Sequence, residues 1–140
     1  MSADEAAPAP RAHIWYVDDD EAIVFLVRRR LQRMGFAVVG HTNAREALAA
    51  LQDPAVVVDL VVTDQNMPVM SGVDFAAAVK ALRPALRVAL SSGVVDDTLR
   101  QRARAVGVDA LIDKGVEVEV LFDTIAELAT PGPSVNGGPG

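Results

Sequence analysis

Five short apolar runs, each followed by a segment with helical spacing, leave this chain very few folds. The runs are His13–Val17, Phe36–Gly40, Leu60–Thr63, Val88–Leu90 and Ala110–Ile112. Each is too short for a helix, and their apolar character is continuous rather than alternating, as strands buried on both faces require. The intervening segments repeat at helical intervals. Ile23, Val27, Leu31 and Met34 recur at i, i+4, i+8 and i+11, and Gly35 stops that helix. Asn43, with Glu46 three residues on, resembles a capping box before Ala47–Leu51. Phe75, Val79 and Leu82 precede Pro84; Leu99, Ala103 and Val106 meet Gly107; Leu121, Ile125 and Leu128 end before Pro131. Five strands alternating with five helices predict an α/β fold with one parallel sheet covered on both sides.

Such a sheet needs a large core. Apolar residues make up 51% of the 140, while aromatics are only 4%, so Val, Leu, Ile and Ala must fill it. The length suits one domain. The composition divides the chain into a flexible leader (1–12), the domain (13–130) and a Pro/Gly-rich tail or linker (131–140), with no internal repeat. Cysteine is absent, which removes disulfides and thiolate metal sites and fits a reducing compartment. A net charge of −6 argues against direct nucleic-acid binding, which needs a positive footprint. No secretory signal opens the sequence and no apolar run could cross a bilayer, so membrane insertion is not expected and a cytoplasmic location is.

In open parallel sheets, ligand chemistry gathers at the carboxyl ends of the strands. The first strand runs into Asp18-Asp19-Asp20, the third into Asp64, the fourth into Ser91-Ser92-Gly93 and the fifth into Asp113-Lys114-Gly115. The fold would bring carboxylates, a hydroxyl and an ammonium into one crevice. Clustered carboxylates repel one another unless a cation joins them. Mg²⁺ suits an all-oxygen site and takes only one or two carboxylates, leaving Asp64 free to attack phosphorus and form an aspartyl-phosphate. Lys114, a serine hydroxyl and backbone N–H groups could then hold the phosphoryl oxygens. Lys114 is one of only two lysines among thirteen basic residues, a compact charge in a chain that otherwise uses arginine.

Four motifs in order, each at its own strand end, resemble the receiver domain of two-component response regulators: VDDD at Val17–Asp20, D-x-x-M-P-x-x-x-G at Asp64–Gly72, Ser92-Gly93 and Lys114. The resemblance covers about residues 13–130. It implies a doubly wound, flavodoxin-like sheet in the order 2-1-3-4-5. It implies transfer of a phosphoryl group from a histidine kinase or histidine phosphotransfer protein onto Asp64, with Mg²⁺ (or Mn²⁺) held by Asp18, Asp19, Asp64 and the backbone carbonyl of Asn66. Ser92 is the switch hydroxyl in this reading, preferred to Ser91 because the small Gly93 follows it, and Lys114 takes a phosphoryl oxygen. Such a module is a signalling switch rather than an enzyme, a phospho-acceptor that promotes its own phosphorylation and dephosphorylation. A homodimer or an output partner is a further expectation.

Two positions depart from the family pattern. Gly115 stands where a proline in cis commonly follows the lysine, so a trans bond or visible strain is expected at Lys114–Gly115. Leu111 replaces an aromatic ring that couples the site to the outer surface. On the first helix, Phe25 falls on the side of Arg28 and Arg29, away from the Ile23–Val27–Met34 face, and is read as a partner surface or as a ring buried by a modest helix rotation. Competing functions are the receiver module of a hybrid histidine kinase, an interaction module without phosphorylation, and a phosphatase of the haloacid-dehalogenase kind. The last needs D-x-D, with the second Asp as general acid; Asn66 occupies that position and cannot supply the proton.

Overall fold

The computed structural model describes residues 9–130. The expected tail, 131–140, and most of the expected leader, 1–8, lie outside the described residues. The elements are β1 (His13–Val17), α1 (Glu21–Arg33), β2 (Ala37–His41), α2 (Ala44–Leu51), β3 (Leu60–Asp64), α3 (Gly72–Leu82), β4 (Arg87–Ser92), α4 (Asp97–Val106), β5 (Ala110–Asp113) and α5 (Val118–Ala129). All strand pairs are parallel, in the order β2-β1-β3-β4-β5. This is the doubly wound, flavodoxin-like arrangement expected.

Strand parity sorts the core into two layers. Ile14, Tyr16, Leu60 and Val62 face α1 and α5, where Val27, Leu31, Phe122 and Ile125 meet them. Trp15, Val17, Val61 and Val88 face the other side and pack on Phe75 and Val79 of α3. Leu90 joins Val73, Leu99 and Ala103 under α4, with Leu111 half-buried against them. Four helices begin on side-chain caps: Asp20, Asn43, Ser71 and Asp96 each accept a backbone N–H of the first turn. Asn43 thus makes its half of the expected capping box. Gly35 and Gly107 follow α1 and α4 with φ of +100° and +88°, a backbone that side chains rarely allow.

The core stripe of α1 differs from the sequence expectation. Val24, Val27 and Leu31 are buried, while Ile23 is exposed. The cause lies on β2: a Cβ at Gly40 would collide with Val24 Cγ1, so the missing side chain leaves the hole that Val24 fills. Ala12 is buried, and the Arg11 N–H donates to the Gly35 carbonyl at 2.9 Å. No peptide bond among the described residues is cis, so Lys114–Gly115 is trans.

The sheet end at which the strands begin is tied by side chains that reach across the chain. The Arg83 guanidinium donates to the carbonyls of Val56 (2.7 Å), Asp53 (2.8 Å) and Leu51 (3.3 Å). Arg87 donates to the Leu128 carbonyl and Arg11 to that of Met34. Asp59 accepts the His13 N–H; Asp109 accepts the Val88 N–H and the Lys80 ammonium.

His41, at the end of β2, packs against Trp15 with ring centroids 4.4 Å apart and the rings tilted by 50°, and its Nε2 is buried without a partner among the described residues. Burial pushes its pKa below the usual 6.5, with Glu46 opposing. The folded state therefore resists a proton that the unfolded chain accepts, and stability falls as pH drops from about 6.5 toward the lower native value. His41→Phe keeps a ring there without titrating. In thermal unfolding between pH 7.5 and 5, its Tm is expected to gain on the wild type as pH falls; parallel curves would contradict this account.

Candidate functional site

The site lies where the strands end. Beyond β1, the Asp18 N–H continues the ladder to the His41 carbonyl at 3.1 Å; beyond β5, the Lys114 N–H bonds the Ser92 carbonyl at 2.9 Å. Asp64 closes β3 in register with Ser91. These backbone anchors bring Asp18, Asp19, Asp64 and Lys114 together. One carboxylate oxygen from each aspartate lies within 4.8 Å of the others. The Lys114 ammonium is 2.7 Å from Asp64 Oδ1 and 4.0 Å from Asp18 Oδ2.

Asp18 and Asp64 are buried, at 2% and 5% exposure, and Asp19 is exposed. Burial raises the Asp18 pKa above its usual value, and the nearby Asp64 charge adds to this; the Asp20 N–H at 3.0 Å and the Lys114 ammonium oppose it. Among the described residues, Asp64 Oδ1 has no partner but that ammonium. One ammonium against two buried carboxylates, with the exposed Asp19 beside them, leaves part of the negative charge uncompensated, and buried ionised groups need partners. The donors are all oxygen, so the cluster could hold a small hard divalent cation such as Mg²⁺ or Mn²⁺.

The turn carrying Lys114 needs no proline. Asp113 Oδ1 accepts the Gly115 N–H at 2.7 Å, and the Asp113 carbonyl accepts the Val116 N–H. This Asx-turn fixes the lysine's backbone on the trans path, and its signal, Asp-x-Gly, was available in the sequence. The end of the Asp64–Gly72 motif has an equally local cause. Gln65 receives the Gly72 N–H on its carbonyl and the Val73 N–H on its side chain, both at 2.9 Å. α3 is thereby seated so close to β3 that a Cβ at Gly72 would lie 2.5 Å from the Asp64 carbonyl oxygen.

Two expected residues are less directly engaged. Ser92 is buried, and its hydroxyl donates to the Val94 carbonyl (2.8 Å) and accepts the Val94 N–H (3.2 Å). Asn66 stands on the exposed loop two residues past Asp64. Sequence reasoning passed over Tyr16. Its hydroxyl is buried beside the cluster, 3.4 Å from Asp18 Oδ2. Burial, and next the Asp18 charge, push its pKa far above the ordinary phenol value, so it stays a protonated donor. The i, i+2 spacing from Asp18 was the available signal. A cavity of about 220 Å³ adjoins it, between α1 and α5, and reaches Ser91 and Lys114.

On α1, Phe25 is 48% exposed, and the Arg28 and Arg29 guanidinium groups lie 5.8 and 5.6 Å from its ring centre. Leu26, the next residue along the helix, is also exposed.

Residues 14–126 match the response regulator receiver domain family. Among curated proteins, ethylene receptor 2 of Oryza sativa subsp. japonica is 30% identical over 86% of this chain and 16% of its own length. The virulence sensor protein BvgS of Bordetella pertussis is 30% identical over 94% of this chain and 11% of its own. The transcriptional regulatory protein GlrR of Escherichia coli is also 30% identical, over 81% and 25%. The chain thus spans a quarter or less of these curated relatives. Among solved structures, the chemotaxis protein CheY4 of Vibrio cholerae superposes with a TM-score of 0.76 at 29% identity, over 84% of this chain and 98% of that one. The BeF3-activated DrrB receiver domain gives 0.70 at 26% identity, over 84% and 96%.

Proposed function

Since the chain belongs to the response regulator receiver domain family, we propose that Asp64 is its phospho-acceptor, taking a phosphoryl group from a histidine kinase or a histidine phosphotransfer protein. The observation that carries this reading is the buried Asp64 carboxylate, paired with Lys114 at 2.7 Å and within 4.8 Å of two further aspartates. An Asp64 oxygen attacks phosphorus, the P–N bond of the phosphohistidine breaks, and the imidazole leaves with the electron pair. Lys114 passes from the carboxylate to a phosphoryl oxygen as charge moves outward. Asp18 and Asp19, with Asp64 and the Asn66 carbonyl, hold Mg²⁺ or Mn²⁺, whose bound charge offsets that of the carboxylates and the incoming group. The same groups serve a second, hydrolytic step, in which water attacks phosphorus, the P–O bond to Asp64 breaks, the carboxylate takes the electron pair and inorganic phosphate leaves; the domain thus promotes both its own phosphorylation and its dephosphorylation.

Ser92 is the proposed switch hydroxyl. To meet the phosphoryl group it must leave Val94, which frees one N–H and one carbonyl in the 93–96 loop ahead of α4. That loop is the two-state element biased by phosphorylation. Leu111 fills space under α4 and carries no hydroxyl, so the signal leaves through the loop rather than a rotating ring. A homodimer or an output partner would read that face. The domain boundaries at 13 and 130 and a cytoplasmic setting beside an ATP-fed kinase belong to the same proposal. The phosphatase reading is not favoured: Asn66 still lacks an acid proton.

The test is incubation with acetyl phosphate and Mg²⁺. The reading expects a gain of one phosphoryl group by intact mass, suppressed by EDTA. Steady hydrolysis of an unrelated phosphate ester without that adduct would overturn it.

The α1 surface around Phe25 is the proposed docking face for the phosphohistidine donor. An exposed ring at the centre of such a contact is worth about tenfold in association when truncated. Phe25→Ala is expected to slow transfer from a phosphorylated histidine phosphotransfer protein by about that factor, while acetyl phosphate, which needs no docking, reacts as before. Equal transfer rates would remove Phe25 from the interface.

A further inference from the structure

Tyr16 is the only tyrosine in the chain. It stands two residues before Asp18, so β1 directs both side chains to the same side of the sheet. The Asp18 carboxylate is addressed from two directions: Oδ1 accepts the Asp20 N–H at 3.0 Å, and Oδ2 faces the Tyr16 hydroxyl at 3.4 Å. Lys114 lies farther from that same oxygen, at 4.0 Å, and is committed to Asp64 at 2.7 Å. The phenol is therefore the nearest donor to Asp18 Oδ2. It has its own need for that oxygen: a buried tyrosine hydroxyl seeks a partner, and Asp18 is the one it has among the described residues. Core filling alone does not account for the hydroxyl, because a phenylalanine would fill the layer without bringing a polar atom to the carboxylate cluster.

We infer that Tyr16 is a positioning residue for metal binding: its hydroxyl donates to Asp18 Oδ2 and holds that carboxylate in the orientation a divalent cation requires. The inference rests on the proposed role of Asp18 as a metal ligand. Groups that orient a ligating side chain from behind commonly affect metal affinity about tenfold or more. The 3.4 Å separation is long for an O–H···O bond, which places Tyr16 at the low end of that range.

The experiment measures Mn²⁺ binding by electron paramagnetic resonance in the full chain and in Tyr16→Phe and Asp18→Asn. Tyr16→Phe is expected to raise the Kd about tenfold. Its acetyl phosphate reaction should slow at limiting metal and recover at saturating metal, a split that a packing defect would not produce. A second readout needs no variant at Tyr16. With one tyrosine, the ultraviolet resonance Raman tyrosine doublet, which reports hydrogen bonding of the phenol, must shift when Mg²⁺ is added to the wild type and stay fixed in Asp18→Asn. An unchanged Mn²⁺ Kd in a folded Tyr16→Phe, or an unmoved doublet in metal-saturated wild type, overturns the inference and leaves the Asp64 reading standing. Failure of the wild type itself to bind Mn²⁺ removes the metal site and the inference with it.

Discussion

Asp64→Asn is expected to abolish the one-phosphoryl mass gain from acetyl phosphate and Mg²⁺, with no residual slow reaction. The amide keeps the shape of the side chain but presents a poor nucleophile and removes the charge that pairs with Lys114 at 2.7 Å. The fold should not suffer. Asp64 is buried beside a second buried carboxylate, and its charge helps to raise the Asp18 pKa, so neutralising it relieves a repulsion. A Tm equal to or above that of the wild type, together with complete loss of the adduct, is the expected pair of results. A phosphoryl gain that survives in Asp64→Asn would put the acceptor elsewhere and dismantle the mechanism above.

Gly72→Ala is expected to be the most destabilising single-methyl change in the domain. The added Cβ would meet the Leu90 side chain, the Asp64 carbonyl oxygen at 2.5 Å and Gln65 Cα at 2.8 Å. Leucine could swing aside, but two of the three obstacles are backbone. Overpacking of this kind costs about 2–3 kcal/mol, which lowers the Tm of a domain this size by about 10 °C. The strain falls on the peptide that carries Asp64, so the acetyl phosphate reaction should slow as well. Urea and thermal unfolding measure the first effect and the rate of adduct formation the second. A Tm within two or so degrees of wild type would mean that α3 slides outward freely and that the close β3–α3 seat is not what the glycine provides.

These two positions also show what the sequence made legible. The apolar runs were readable because a strand buried on both faces has no reason to alternate, and all five strands appear in the expected order. Their ends were less readable. β4 continues through Ser91 and Ser92 and β3 includes Asp64, because ladder hydrogen bonds pay no regard to side-chain polarity. The rotation of α1 was missed because it is decided by Gly40, a residue on another element whose empty Cβ position admits Val24. Asp18, Asp19, Asp64 and Lys114 were legible as strand-end residues, and the fold collects them. Ser92 was legible as a strand-end hydroxyl too, but its bond to Val94 was not, since that is a rotamer choice. Tyr16 was overlooked because an aromatic residue in an apolar run reads as core, and only its parity with Asp18 hinted otherwise.

The ties at the opposite end of the sheet bear on what can move. Arg11, Asp59, Arg83, Arg87 and Asp109 each bind backbone 21 or more residues away. At the site end, by contrast, the helix caps reach only two or three residues along the chain. Side chains thus tie the base of the sheet, while the site end is joined by its strand ladders and the Lys114–Asp64 ion pair. On the proposed switch reading, a rearrangement triggered at Asp64 would have that tied base to push against, and its displacement would fall on the 93–96 loop and α4 instead of dissipating as a tremor of the whole sheet.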